Sequence, residues 1–385
     1  KKKILKIGLL LDSYELPLWE YTLIKRLINS HYAKIDLILI NESSKSRLNL
    51  KNFKFKFKFL FFHLYNVFDK IFFKVDNDAF EKINTYELLK NITSLKVDPV
   101  RKSYSDTIKQ IDIDKIKSYD LDVLMRFGFR ILRGSILEVA KYGVWSYHHG
   151  DTAINRGAPS CFWEVFENID VTGSTLQIIS DDLDAGKVLT KSFSSTNKVS
   201  VHRNRNNTYW KSLSFLPRKL EELYNLGGED FLKKIEMVNK YPVFYSNKLN
   251  TVNNLTNWKM FKMLSRLSIR LIIRRLTSLI YKDKWTILYA FGQGLSLSFW
   301  KFTAIKSPKD RFFADPFIIK ELDKYYIFIE EFINKDNKGR ISLIQMDHKG
   351  KFDKPVAIID QPYHLSFPAV FKYKNETFLF SVTNN

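Results

Sequence analysis

The sequence predicts an α/β domain built on a doubly wound parallel sheet, then a basic helical connector, then an all-β segment. Three observations predict this. Short, continuous apolar runs alternate with helical periodicities over roughly the first two hundred residues. A long amphipathic stretch with basic residues at every fourth position follows between residues 258 and 281. From residue 285 onward, short runs of alternating aromatics are separated by Gly- and Asn-containing turns. The expected boundaries are 1–200, 201–284 and 285–385.

Residues 4–11 form a short apolar run broken by Lys6 and Gly8, which reads as a buried strand ending at Asp12. Pro17 stands where a helix can begin, and Leu18, Tyr21, Leu23, Ile24, Leu27 and Ile28 follow with helical spacing. Residues 35–40 are a second buried strand. Residues 53–59 alternate Phe and Lys, as expected of a half-buried strand with a wet lysine face, or of a basic-aromatic nucleic-acid surface. Residues 69–102 read as an insertion. The α/β pattern resumes with strands at 121–127, 144–147, 174–179 and 188–193 and helices at 135–141 and 162–167. Residues 196–257 are polar, with little period. In the following helix, Lys262, Arg266, Arg270 and Arg274 make one stripe, and Leu264, Leu267, Leu271, Ile272 and Leu276 fill the other side.

The chain has 385 residues, enough for two domains. Its 62 basic and 41 acidic residues leave a net charge of +21, which favours anionic partners: phosphorylated molecules, nucleic acid or an anionic membrane surface. Residues 201–285 alone hold 17 basic and 6 acidic residues. Their helix reads either as a membrane-surface element, at the inner face, or as a docking helix between domains. The single cysteine, Cys161, excludes an internal disulfide and a cysteine metal site and suits a reducing, cytoplasmic setting. No signal peptide, membrane-spanning run or metal site is expected.

The chemistry concentrates between residues 122 and 189. Gly143-Val144-Trp145-Ser146-Tyr147-His148-His149-Gly150 is followed by Asn155-Arg156-Gly157-Ala158-Pro159, Gly173-Ser174-Thr175-Leu176-Gln177 and Asp181-Asp182-Leu183-Asp184-Ala185-Gly186. This order is expected to put His148 and Asp184 at the carboxyl ends of neighbouring parallel strands, where open α/β sheets bind ligands. A histidine there can move a proton or donate to an oxyanion, and a carboxylate can fix its tautomer.

These motifs resemble the folate-dependent formyltransferases, which include glycinamide ribonucleotide, methionyl-tRNA and sugar N-formyltransferases. The resemblance covers roughly residues 1–195. It implies His148 and Asp184 as the catalytic pair, with Ser146 at the position of the family's Asn. It implies a folate pocket for 10-formyltetrahydrofolate from Arg126, Phe127, Gly128, Phe129 and Ile131 with Asp181 and Asp182. It also implies acceptor contacts from His149, Asn155, Arg156 and Gly157. Ser146 departs from the pattern: loss of one oxyanion donor costs about 2.7–4 kcal/mol. Three readings stay open: Ser146 serves through a shifted pose, His149 or Asn155 takes over, or the domain is weakened.

Phe313-Ala314-Asp315-Pro316-Phe317, Glu330-Glu331-Phe332, Lys338-Gly339-Arg340-Ile341-Ser342 and Tyr363-His364-Leu365-Ser366-Phe367-Pro368 look like a β-propeller. They are similar to the amino-terminal domain of glucosamine inositolphosphorylceramide transferases and, more distantly, to five-bladed glycosidase propellers, with Asp315 and Glu331 as acid–base candidates by type. A hundred residues hold roughly two blades, so the propeller is expected to be incomplete at Asn385. The expected function is formyl transfer to an amino sugar, nucleotide- or lipid-linked. The alternatives are a carbohydrate-binding platform and a methionyl-tRNA formyltransferase-like enzyme.

Overall fold

Strand β1 (Leu5–Leu11) is apolar on both faces and lies inside a seven-stranded sheet. The computed structural model describes residues 2–44, 57–102, 105–151, 154, 156–181, 186–240, 249–280, 284–292, 302–374 and 376–383. The other strands of this sheet are β2 (Ala33–Asn41), β3 (Ser94–Val97), β4 (Val123–Arg126), β5 (Val144–His148), β6 (Val171–Ile178) and β7 (Lys187–Ser195). Their spatial order is β7-β6-β5-β4-β1-β2-β3. Strands β1 to β5 run parallel, and the order reverses between β1 and β4, which makes a topological switch point there.

The sheet is not parallel throughout, as the sequence had suggested. Strand β6 runs antiparallel to β5, and β7 antiparallel to β6. Residues 179–186 join β6 to β7, and a link of that length cannot carry a crossover, so the two strands close as a hairpin. Strand β3 lies inside residues 69–102, so the segment read as an insertion contributes an edge strand to the sheet.

Helix α1 (Leu18–Ile28) begins after Pro17 as expected and buries Trp19, Leu23, Ile24 and Leu27 against Leu9 and Leu11. Leu10, Leu37, Leu39, Leu124 and Val144 point to the other face, toward Ile113 and Ile116 of α3 (Gln110–Lys117). The expected helix at 135–141 is a 3-10 turn, Gly134–Glu138, pinched between the left-handed Gly134 and Gly143. The Phe–Lys alternation at 53–59 falls mostly outside the described residues; Phe57 and Lys58 lead into α2 (Leu60–Phe72).

The one-turn helix α4 (Trp163–Phe166) is followed by three longer ones: α5 (Val201–Ser212), α6 (Phe215–Leu226) and α7 (Gly228–Val238). Their Tyr209, Phe215, Leu220 and Phe231 complete the core on the α1 side of the sheet. The polar reading of this region has a physical reason. α5 buries Asn204, Asn206 and Thr208, whose side chains satisfy neighbouring backbone. Asn204 Nδ2 donates to Cys161 O at 3.0 Å, and Asn206 Oδ1 accepts from Ala79 N at 2.7 Å.

The chain divides into two compact units, residues 1–272 and 273–385, with α8 (Asn257–Ile280) crossing that boundary. In the second unit, β8 (Arg311–Glu321), β9 (Lys324–Ile333), β10 (Lys338–Asp347) and β11 (Val356–Ile359) form a four-stranded antiparallel sheet in chain order. Strands β12 (Leu365–Tyr373) and β13 (Glu376–Thr383) form a hairpin. Among the described residues these sheets do not close into a ring.

Candidate active site

The switch point is built from the ends of β1 and β4. Asp12 follows β1; its Oδ1 accepts from Asn41 Nδ2 at 2.8 Å and from Phe129 N at 2.9 Å. Phe129 has φ 62°, a left-handed conformation that an aromatic residue adopts only under constraint, and the Asp12 bond supplies one. Gly128 N donates to Leu10 O at 2.7 Å, and a Cβ at Gly128 would collide with the backbone nitrogen of Asp12. Arg130 forks onto buried Asp106 through Nε at 2.9 Å and Nη2 at 2.7 Å. The turn carrying Arg126, Phe127, Gly128, Phe129 and Ile131 is therefore fixed at both ends. Phe127 meets Trp19 edge to face at 5.8 Å.

Strand β5 brings in the next residues. Arg126 Nη1 donates to Ser146 Oγ at 3.3 Å, and Ser146 Oγ donates to Tyr147 O at 3.3 Å. His148 ends the strand, half-buried, with Gly150 close enough that a Cβ there would lie 3.3 Å from Nε2. Arg126, Ser146 and His148 thus share the carboxyl edge of the sheet with Asp12.

His149 faces elsewhere. It is buried, stacked on Tyr209 with ring centroids 3.5 Å apart, and its Nδ1 meets Ser174 Oγ at 3.1 Å. Burial, then the charges of His148 and Arg205, hold it neutral well below the usual histidine range. This placement corrects its assignment as an acceptor contact: the ring belongs to the core beneath α5.

The Arg-Gly-Ala-Pro loop lies over the same region. Arg156 and Gly157 pair through their backbone with Leu249 and Asn250, the Ala158–Pro159 bond is cis, and Ser160 Oγ lies 3.0 Å from Tyr209 OH. Asn155, Asp182 and Asp184 fall outside the described residues. Asp181 Oδ1 accepts from Gly134 N at 2.9 Å. The antiparallel hairpin also corrects the expected placement on parallel neighbours. Ile178, the last residue of β6, pairs with Trp145, whereas His148 pairs with Thr175. The turn at 179–186 therefore leaves the sheet about 10 Å along β5 from His148.

Sequence reasoning missed Asp12 and Glu20 as parts of this edge. Glu20 of α1 is buried, and its carboxyl is pushed up to about 8 by burial, with Lys82 opposing and Asp12 adding to the rise. An Asp directly after the first strand was the signal that could have found Asp12.

The second unit separates two adjacent glutamates. Glu331 accepts from Arg311 Nη1 at 2.8 Å, Arg340 Nε at 2.9 Å and Ser342 Oγ at 2.7 Å. Those bonds outweigh burial and hold its carboxyl below the usual range. Glu330 is pushed up to about 7 by burial and by Asp315, which sits at φ 45° in a β-bulge. His364 Nδ1 accepts from Gly339 N at 2.9 Å, so Nε2 carries the proton that faces Glu330 Oε1 at 3.7 Å. Glu330, not Glu331, is the carboxyl raised toward neutral pH, and it lies beside Asp315.

Comparison with known proteins adds two likenesses. Residues 301–385 match the family described as the N-terminal domain of glucosamine inositolphosphorylceramide transferase 1. The Arabidopsis thaliana protein of that name is 35% identical over 74 residues, 19% of this chain, and the match spans only 10% of the plant protein. Among solved structures, the chain is similar to a sugar N-formyltransferase from a Shewanella species. That match has 12% identity and a TM-score of 0.37, covering 66% of this chain and 78% of that one. It is also similar to a phosphoribosylglycinamide formyltransferase from Brucella melitensis, with 10% identity, a TM-score of 0.40 and 59% and 97% coverage. A formyltetrahydrofolate deformylase from Pseudomonas syringae matches at 12% identity and a TM-score of 0.39, with 57% and 62% coverage.

Proposed function

We propose that the first unit transfers a formyl group from 10-formyltetrahydrofolate to the amine of an amino sugar. The observation that carries this reading is the meeting of Arg126 and Ser146 beside His148 at the switch-point edge, in a segment whose motifs follow the formyltransferase order. In the reaction the amine nitrogen bonds to the formyl carbon, the carbonyl oxygen takes up negative charge, and the donor nitrogen leaves with a proton. His148 takes the amine proton and returns it to the leaving nitrogen. The hydroxyl proton of Ser146 is turned toward Tyr147 O, so Arg126 supplies the oxyanion donor that the missing Asn would have given. The turn after β4 flanks the folate.

The second unit binds carbohydrate; its match to a domain of a glucosamine-transferring enzyme supports that role. The surplus of +21 favours a phosphorylated acceptor. A second reading, a formyltransferase fold kept as a carbohydrate-binding platform, is favoured by the same turned Ser146.

The test is calorimetric binding of the folate donor, followed by tetrahydrofolate release on mixing with amino-sugar acceptors. His148→Ala is expected to slow transfer by about 10²–10⁴-fold and Arg126→Met by about 10²–10³-fold. A wild-type protein that neither binds the donor nor releases tetrahydrofolate leaves the platform reading.

A further inference from the structure

Helices α2 and α8 both leave large apolar side chains exposed. In α2, Tyr65 and Asp69 face the protein, while Leu60, Phe61, Leu64, Val67, Phe68, Ile71 and Phe72 face solvent. Leu64 is 56% exposed and Phe68 49%. Asp69 is held inside by His202 N, which donates to its Oδ2 at 2.7 Å, so the helix cannot simply roll its apolar side inward.

α8 repeats the pattern. Met260, Leu267 and Leu271 pack inward with Phe162 and Trp163. Trp258, Phe261, Ile269 and Ile272 are exposed, and their spacing with Ser265 puts them on one side of the helix. Trp258 is 64% exposed. The basic stripe read from the sequence divides: Arg270 is a clamp whose Nη2 donates to Val165 O and Lys198 O, both at 2.8 Å. Lys262 and Arg266 stay exposed along the margin of the apolar side, Lys262 resting over the Trp258 ring at 5.0 Å.

The two faces meet. Asn257 Oδ1 accepts from Phe61 N at 3.1 Å, and its Nδ2 donates to Phe57 O at 2.9 Å, so the first turn of α8 is tied to the first turn of α2. Beside α2 the face continues into a cleft of about 460 Å³ lined by Val67, Ile71 and Val75 with Lys70, Lys74, Asp78 and His202. No acidic residue occurs between 257 and 280, and the single acid of α2, Asp69, is buried.

We propose that α2 and the first half of α8 form a monotopic docking face for an anionic lipid surface. Charge complementarity selects that occupant. Large apolar side chains flanked by Lys70, Lys74, Lys262 and Arg266, with Asp78 the acidic neighbour paired to Lys70, suit the boundary between acyl chains and anionic headgroups, with Lys262 reaching past Trp258 to the phosphates. An apolar face this wide is unusual on a freely soluble surface. No described helix is long and apolar enough to cross a membrane, so the contact is one of lying on the surface. The inference does not depend on the formyl-transfer reading.

The test is co-sedimentation of the full chain with sucrose-loaded phosphatidylcholine vesicles, with and without phosphatidylserine. Wild type is expected to pellet with the anionic vesicles and to be released by salt. Lys262→Ala weakens binding about fivefold. Leu64→Glu with Phe68→Glu weakens it at least about tenfold while leaving the circular dichroism unchanged; both side chains are exposed, so the fold does not need them. Failure of wild type to bind anionic vesicles overturns the proposal, as does binding that the double variant leaves unchanged. A dimer that the double variant dissociates, with no vesicle binding, assigns the face to a second copy of the chain and overturns it too.

Discussion

The two units place their polar groups in opposite ways. In the α/β unit the interiors of β1 and β4 are apolar, and Asp12, Arg126 and His148 sit where parallel strands end, held largely by backbone: Phe129 N on Asp12, Gly128 N on Leu10 O. In the second unit the polar groups lie mid-strand. Glu330 and Glu331 are neighbours on β9 and send their carboxyls to opposite faces; Glu331 is satisfied by side chains from β8 and β10, and Glu330 faces His364, just before β12. A site made of strand ends depends on the helices that hold the sheet. A site made of mid-strand side chains depends on its own charge pairs.

The largest effect should come from the support of the first kind of site. Phe231 of α7 is fully buried and stacks near Trp145 of β5, with centroids 5.9 Å apart. Phe231→Ala is expected to cost about 3–5 kcal/mol in denaturant unfolding. Hydrogen exchange should show lost protection in 144–148 as well as 228–238. Exchange confined to α7 would mean that the helix is an appendage and that the comparison misplaces it.

The next effect separates the two glutamates. Glu331→Ala leaves the buried Ser342 hydroxyl without its acceptor and takes from Arg311 and Arg340 one of two carboxylate partners, Asp310 and Asp360 remaining, at about 1–3 kcal/mol. Glu330→Gln should cost far less, because Glu330 holds a proton in the fold and an amide replaces it nearly atom for atom. Equal costs in thermal unfolding would break the distinction.

The long strands were legible because the Leu- and Ile-rich runs at 4–11 and 35–40, and Val144, Trp145 and Tyr147 after Gly143, leave little else for those residues to be. Direction was not: an apolar run reads the same in a parallel or an antiparallel strand, and only the shortness of 179–186 carried the answer. Helix α5 was hidden because its inward side holds Asn204, Asn206 and Thr208, which fill backbone demands that no periodicity records. The Arg126–Ser146 contact was invisible because strand pairing, not sequence distance, brings those residues together. The choice between Glu330 and Glu331 rested on which face of β9 meets Arg311 and Arg340, a matter of register.

A smaller and more discriminating effect is the pH dependence. Glu330 keeps its proton in the fold up to about pH 7, whereas an unfolded glutamate loses it near 4.5. Between those values the unfolded chain binds fewer protons, so this contribution is complete below about 4.5 and is lost as pH rises to about 7. Glu20 does the same in the first unit over a window reaching about 8. His149 works the other way: neutral in the fold well below the usual 6.5, it contributes stability above that value and loses it as pH falls. Unfolding followed across pH should therefore find Glu330→Gln and Glu20→Gln each flattening the fall toward neutral pH. Neither variant should change the acid limb.

The smallest effect tests whether His149 belongs to the core or to the site. Its Nδ1 meets Ser174 Oγ, and its ring is held between Tyr209 and Tyr147. Ser174→Ala removes one hydrogen bond from a buried imidazole whose Nε2 has no partner among the described residues, so about 1–2 kcal/mol is expected. If the ring is a core element, the loss appears in stability alone and acceptor binding is unchanged. A weakened acceptor affinity at unchanged stability would bring His149 back to the edge where His148 stands, and would mean that the neutral ring turns outward when the acceptor binds.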